Sequence, residues 1–153
     1  MTETFFYHLE RRGIEEVLPE LLERTLARDW RAMVRCDSAE RAQSLDTALW
    51  TYREDSFLPH ALSGDENACA QPVLISVEAE MANRPHILFL VGGVMPAWDS
   101  PELSGLRRIV LVFDGNDSAM VQAARAAWKA AGAAGHEVTY WRQTAAGKWQ
   151  KQA

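Results

Sequence analysis

Short apolar runs rich in β-branched residues alternate along this chain with segments whose apolar residues recur at helical spacing. That order is typical of an α/β domain, because strands of a mainly parallel sheet are joined by crossover helices. The predicted strands are Thr4–Leu9, Ala32–Cys36, Val73–Val77, His86–Val91, Ile109–Phe113 and Glu137–Arg142. We therefore predict a single α/β domain, a Rossmann-like three-layer sandwich with a mainly parallel central sheet and helices on both faces.

The ends of the first two helices are predicted from breaking and capping residues. Proline is tolerated only in the first turn of a helix, so Pro19 predicts a start near Val17 to Pro19, with an end near Trp30. Asp37 followed by Glu40 resembles a capping box, in which a side chain accepts from the free amides of the first turn. The second helix is therefore expected to begin there.

Capping residues also mark the ends of the last helix, and polar composition marks the segment that follows. Asn116-Asp117-Ser118 offers N-cap chemistry, and Gly135 suits the carboxyl end of the same helix. Residues 144–153 are mostly polar, with Trp149 as their one large apolar side chain. We expect an α/β domain over residues 1–143 and a loose polar tail over residues 144–153, anchored by Trp149.

Charge and composition restrict the class of partner. The formal net charge is −5 and the isoelectric point is near 5.4, whereas proteins that grip DNA through its phosphates usually carry a basic surface. The overall charge therefore argues against strong direct DNA binding, although a local basic patch would still allow a DNA contact. No apolar run approaches membrane-spanning length, the first residues are acidic, and two cysteines do not suggest a disulfide framework. These features predict a cytoplasmic protein.

The signatures of nucleotide binding and catalysis are missing from the sequence. It contains neither a phosphate-binding G-x-x-x-x-G-K-[ST] loop nor a G-x-S-x-G nucleophile elbow, and Gly92-Gly93 reads as a plain turn. We predict no catalytic residue, no cofactor and no metal site. A nucleotide-dependent enzyme on a Rossmann-like sheet is the alternative, supported by analogy of fold alone. The histidines, which lack metal-site spacing, are His8, His60, His86 and His136.

Three blocks of sequence resemble the chi subunit family of the bacterial DNA polymerase III holoenzyme. The first is the aromatic opening strand FYHL at residues 6–9. The second and most distinctive is LDTALWT at residues 45–51 with DSFLPHAL at residues 55–62. The third combines DG at 114–115, RAAWK at 125–129, GHE at 135–137 and TYW at 139–141. The resemblance covers nearly the whole chain in the right order.

The second block has the composition of a binding edge. Trp50 and Phe57 flank a charged turn, and Pro59 holds the segment extended, which lowers the entropy lost when a partner docks. Residue type alone favours burial of both rings in the core, since large aromatics are usually buried. The resemblance instead implies that the psi subunit packs there, and that a helicase-like repair protein competes for the same surface. The candidate residues for this contact are Trp50, Phe57, Leu58, Pro59 and His60.

In the third block, Arg125, Trp128 and Lys129 stand at i, i+3 and i+4, so they share one flank of the last helix. Two cations beside an indole suit an acidic peptide with an aromatic end. Spacing does not separate this from a core role for Trp128 with solvated neighbours. The resemblance implies that these residues bind the acidic carboxyl-terminal tail of single-stranded DNA-binding protein. Family members often carry another basic residue one turn on, where this chain has Ala131-Gly132, so weaker tail binding is expected.

The resemblance thus implies a non-catalytic accessory subunit for DNA replication. It would bridge the clamp loader, through psi, to the tail of single-stranded DNA-binding protein. The nucleotidyltransferase activity of the polymerase would lie on another chain.

Overall fold

The computed structural model describes residues 2–10, 12–52, 59–65, 68–78, 80–144, 146 and 148–152. Three α-helices lie in these ranges: α1 (Ile14–Ala27), α2 (Ala39–Thr51) and α3 (Ser118–Ala133). Short 3₁₀ turns occur at Ala68–Ala70 and Pro101–Gly105. The strands are β1 (Glu3–Leu9), β2 (Ala32–Arg35), β3 (His60–Leu62), β4 (Val73–Ser76), β5 (Ile87–Val91), β6 (Arg108–Asp114), β7 (Glu137–Gln143) and β8 (Trp149–Lys151).

The described strands form one sheet in the order β3-β4-β2-β5-β6-β1-β7-β8. All neighbours pair in parallel except β7 and β8, which are antiparallel. The predicted α/β class and the mainly parallel sheet are therefore confirmed. All six predicted strands are present, with ends displaced by at most one residue. The sequence did not predict β3 or β8, each of three residues at an edge of the sheet.

Helices cover both faces of the sheet, as the prediction of three layers requires. On the first face, α1 and α2 bury Leu18, Leu22 and Leu45 against the strands. On the second face, α3 buries a stripe of alanines against the strands, and the 3₁₀ turn Pro101–Gly105 packs beside them. Successive residues of β1 divide between the faces, with Tyr7 in the first cluster and Phe6 in the second.

The predicted start of α1 was wrong. The helix begins at Ile14 and runs through Pro19, which is its sixth residue, and it ends at Ala27 rather than near Trp30. Proline removes one backbone donor, and here the surrounding apolar side chains stabilise the helix regardless of that loss. Pro19 is itself buried together with Val17. The free energy gained by burying this face of α1 therefore outweighs the cost of a proline inside the helix.

The predicted cap of α2 was wrong by one residue. Ser38 caps the helix by accepting from the amide of Arg41, while Asp37 accepts from the Arg41 guanidinium at 2.7 Å. The signals for α3 were read correctly. Asp117 accepts from two first-turn amides, and Gly135 adopts a φ of +92°, in the left-handed region that favours glycine.

The carboxyl-terminal segment is more ordered than the sequence suggested. Residues 149–151 pair with β7, and the Trp149 ring meets the Tyr7 ring edge to face at 4.8 Å. Trp149 thus attaches a short strand to the rest of the sheet. Within the described part of the chain, no helix has the length and apolarity needed to cross a bilayer.

Candidate functional site: two tryptophan surfaces

The first surface, called here the Trp50 corner, comprises Trp50, Pro59 and His60 among the described residues. Trp50 lies in the last turn of α2, and 53% of it is exposed. Its ring lies 4.5 Å from the ring of His60, the first residue of the edge strand β3. Phe57 and Leu58 of the predicted contact lie outside the described residues.

The imidazole of His60 packs against the indole of Trp50, and His60 itself is buried. It is only 6% exposed, and its Nε2 lies 3.2 Å from the Asp46 carboxylate, one turn before Trp50 on α2. The carboxylate and the indole therefore hold the imidazole between α2 and β3. Pro59 is half-buried at the start of the same strand. The result is an exposed ring on a fixed base.

The second surface, called here the Trp128 flank, comprises Arg125, Trp128 and Lys129 of α3. Arg125 and Lys129 are exposed, and neither has a carboxylate partner among the residues that the structure describes. Trp128 is half-buried, and its ring meets the rings of Phe6 at 5.4 Å and Tyr140 at 6.0 Å. Trp128 therefore joins the margin of the core while keeping an accessible part beside two cations.

A hydrogen-bonded pair lies behind the Trp128 flank. The hydroxyl of Tyr140 and Nδ1 of His8 are 2.5 Å apart, which joins β7 to β1 across their parallel pairing. Burial and the nearby Arg142 lower the pKa of His8, although Glu10 acts the opposite way. Burial also raises the pKa of Tyr140. At neutral pH both groups are therefore uncharged, and the cations of the flank face no competing internal anion from this pair.

Sequence reasoning missed His8, Tyr140 and Gly115 as supports of this surface. A Cβ at Gly115 would lie 1.9 Å from Nε2 of His8, so any side chain there would displace the imidazole. These residues come from β1, β7 and the turn after β6, which are far apart in the sequence. The one available signal was that all three fall inside the blocks of family resemblance.

The carboxyl ends of β1, β5 and β6 open into a crevice of about 400 Å³. Sheets of this class often bind ligands at such a position. Gly92 and Gly93 form a turn here with φ of +81° and +89°, but residues 94–97 after it are not helical. The Asp37 carboxylate lies 2.3 Å from the position that a Cβ of Gly92 would take. That carboxylate is paired with the Arg41 guanidinium at 2.7 Å, and because no helix follows the glycine turn, the turn lacks the loop-to-helix arrangement that holds a phosphate in nucleotide-binding sheets.

Comparison with known proteins identifies the family of this chain. The model of the family "DNA polymerase III chi subunit, HolC" matches residues 1–139. The chain belongs to the DNA polymerase III chi subunit family. A protein of Rickettsia prowazekii named "Probable DNA polymerase III subunit chi" is 22% identical over 91 residues, which are 60% of this chain. The match spans 55% of that relative's own length.

The part matched by the chi family model includes both tryptophan surfaces. It begins with β1, contains α2 and α3, and ends within β7 at the residue before Tyr140. Strand β8 lies beyond the matched residues. The family is named for a subunit of DNA polymerase III.

Proposed function

We propose that this chain is a non-catalytic tether that connects the clamp loader to single-stranded DNA-binding protein. The Trp50 corner would bind psi or an equivalent clamp-loader protein, and a helicase-like repair protein would compete for that corner. The Trp128 flank would bind the acidic tail of single-stranded DNA-binding protein. The observation that carries the proposal is membership in the chi family over residues 1–139.

The Trp128 flank supports the tail contact through charge and shape. Arg125 and Lys129 are exposed cations without internal partners among the described residues, so acidic side chains and a terminal carboxylate can pair with them. The accessible part of Trp128 provides an apolar contact for a terminal aromatic ring. Because Phe6 and Tyr140 hold the indole, little side-chain entropy is lost when the peptide binds.

The Trp50 corner supports a contact with a folded partner. A half-exposed indole on a fixed base is typical of an interface anchor, because tryptophan is enriched at positions that dominate binding energy. The two surfaces use different helices, so both partners can bind at once. Each contact can be modest, because linking two sites raises effective concentration without any new contact.

The decisive experiment titrates a peptide with several acidic residues and a terminal phenylalanine against the protein by calorimetry. Arg125→Glu places like charges together and is expected to abolish binding while leaving thermal unfolding unchanged. Affinity of the wild type should fall as salt rises, because the ion pairs are near the surface. Arg24→Glu is the matched control, since it reverses an exposed charge on α1.

Equal affinities for wild type and Arg125→Glu would show that the tail docks elsewhere. Salt-independent binding would show that the ion pairs contribute little. For the Trp50 corner, a pull-down from native lysate is read for clamp-loader subunits. Phe57→Ala is expected to weaken that capture by roughly 2 kcal/mol, the scale of an interface anchor, without affecting the tail peptide.

A further inference from the structure

A third surface, absent from the proposal above, brings six arginines together. It lies where the parallel strands β2, β5 and β6 begin, and because they are parallel these ends meet at one edge of the sheet. We call this surface the arginine edge. Its members are Arg24, Arg28, Arg31, Arg84, Arg107 and Arg108.

The arginine edge is organised around the ring of Trp30. The guanidinium carbons of Arg28, Arg107 and Arg108 lie 5.1, 5.7 and 5.3 Å from its centroid. On the other side, Arg31 donates from Nε and Nη2 to the carbonyl oxygen of Arg84, at 3.1 and 2.9 Å. These contacts gather three guanidinium groups around one indole and hold Arg31 against the backbone of Arg84.

Most cations of the arginine edge are not neutralised by a carboxylate among the described residues. Arg108 pairs with Glu3 at 3.0 Å, whereas Arg24, Arg28 and Arg107 are exposed and have no carboxylate partner in the part of the chain that is described. Burial lowers the pKa of His86 beside Trp30, and Arg31 and Arg107 lower it further. Glu102 also borders this edge, so the six arginines face the carboxylates of Glu3 and Glu102 and leave a local excess of positive charge on a protein whose net charge is −5.

An aromatic groove of about 310 Å³ opens beside these cations. It lies between α1 and the first face of the sheet, and its rings belong to Phe5, Tyr7, Trp30, Phe89, Trp141 and Trp149. Its rim includes Arg24, Arg28 and Arg108. The indole Nε1 of Trp141 is buried without a hydrogen-bond partner in the described structure, so the groove wall contains an unused donor.

We propose that the arginine edge and the aromatic groove bind a single strand of nucleic acid, with phosphates on the arginines and a base in the groove. Proteins that bind single strands combine a cationic track with aromatic rings and arginine contacts. Several clustered cations beside an aromatic groove suit a polyanion that carries bases better than a single small anion. The cations of the edge are arginines, and the planar fork of arginine matches phosphate.

This proposal goes beyond the tether, because it gives the chain a direct contact with the strand. The negative net charge predicts weak binding that depends strongly on salt. With four phosphates neutralised, a slope of about −0.7 per phosphate lowers affinity roughly 50-fold as salt rises from about 50 to about 200 mM.

The test measures fluorescence anisotropy of a labelled oligothymidylate with the purified chain and no other protein. Arg28→Glu combined with Arg107→Glu should lower affinity at least tenfold and reduce the salt slope by about 1.4, the share of two phosphates. Arg125→Glu combined with Lys129→Glu reverses equally many charges on the opposite face. It should bind the oligonucleotide within about twofold of wild type, since repulsion from net charge alone is screened.

Further binding measurements either support or overturn the proposed nucleic-acid site. An abasic strand of equal length should bind about tenfold more weakly, because it has no base to enter the groove. Equal binding of the abasic strand, equal losses in the two double variants, or no binding at low salt would each overturn the proposal. Displacement of the oligonucleotide by oligoglutamate of equal charge, as effectively as by unlabelled strand, would assign the edge to an acidic peptide. Both double variants change exposed residues only, and matching thermal unfolding checks their fold.

Discussion

Trp50 and Trp128 are both large apolar residues at helix surfaces, but the protein holds them in different ways. Trp50 has 53% of its surface exposed and meets one described ring, that of His60. Trp128 is half-buried and meets two rings on the second face of the sheet. One indole is therefore mainly a surface group, while the other contributes to both the core and the surface.

Helix geometry explains the difference. The buried stripe of α2 ends at Leu49, which is 2% exposed, and Trp50 is one position further round the helix. Trp128 follows Ala124 and Ala127, whose small side chains bring α3 close to the sheet, so its ring reaches the strands. The core accounts for part of the apolar area of Trp128, but it does not account for that of Trp50. A binding role is therefore easier to test at Trp50, where stability changes least.

The largest expected effect is on stability at Trp128. Trp128→Ala removes the contacts with Phe6 and Tyr140 and should lower the free energy of unfolding by about 2–3 kcal/mol, somewhat less than for a fully buried tryptophan. Urea unfolding followed by far-ultraviolet circular dichroism measures this loss. Trp50→Ala is the control and should change the same quantity by less than about 1 kcal/mol. Equal losses in the two variants would remove the distinction between the indoles.

The next effect is on partner binding at Trp50. Trp50→Ala should weaken capture of a psi-type partner by about 2 kcal/mol, or roughly 30-fold, because it removes an exposed anchor of the interface. Calorimetry with the purified partner gives the affinity, and the acidic peptide provides an internal control because its binding should not change. If the partner binds this variant as well as wild type, the Trp50 corner is not its docking surface.

The same contrast shows what sequence could predict. The strands β5 and β6 were predicted because their continuous apolar runs reflect burial on both faces. Strands β3 and β8 were missed because three residues carry little pattern, and pairing with β4 and β7 decides their conformation. The start of α1 was misplaced because tertiary packing outweighed the local effect of Pro19.

The grouping of side chains along one helix could be predicted from sequence spacing, whereas contacts between separate strands could not. Arg125, Trp128 and Lys129 share a flank because of their spacing on α3, which sequence alone indicates. Contacts such as His8 with Tyr140 join residues from separate strands. In the arginine edge, Arg24 and Arg28 are four residues apart at the end of α1, so local spacing reveals only these two. The parallel pairing of β2, β5 and β6 brings the other four arginines to the same edge of the sheet.

A smaller effect distinguishes the two cations of the Trp128 flank. Arg125→Lys keeps the charge but loses the planar fork, so binding of the acidic peptide should weaken by about 1 kcal/mol, roughly fivefold. Lys129→Arg is the matched variant and should bind at least as tightly as wild type. Calorimetry at one fixed salt concentration measures both. A loss in Lys129→Arg as large as in Arg125→Lys would show that shape at the flank matters more than hydrogen-bond geometry.

The smallest expected effect is the pH dependence of stability behind Trp128. Burial and then Arg142 lower the folded-state pKa of His8, against the opposing effects of Glu10 and Asp114, while Arg125 adds to the lowering. Because folding disfavours the protonated form, the contribution of His8 to stability is present above its unfolded pKa, near 6.5, and is lost as pH falls through the lower folded value. The unfolded chain binds more protons in that window, so the free energy of unfolding declines on acidification.

The measurement compares urea unfolding of wild type and His8→Gln between pH 7 and pH 5. Glutamine can still accept from the Tyr140 hydroxyl but does not titrate, so the variant should lose less stability on acidification. The difference should be a fraction of the roughly 1.4 kcal/mol per pH unit that one full proton gives, since folding changes the proton occupancy only in part. His86→Gln is the control at the arginine edge, where burial and two arginines also lower a histidine pKa. It should reduce the loss of stability on acidification by a separate amount. Parallel curves for wild type and His8→Gln would show that this histidine does not contribute to the acid sensitivity of the fold.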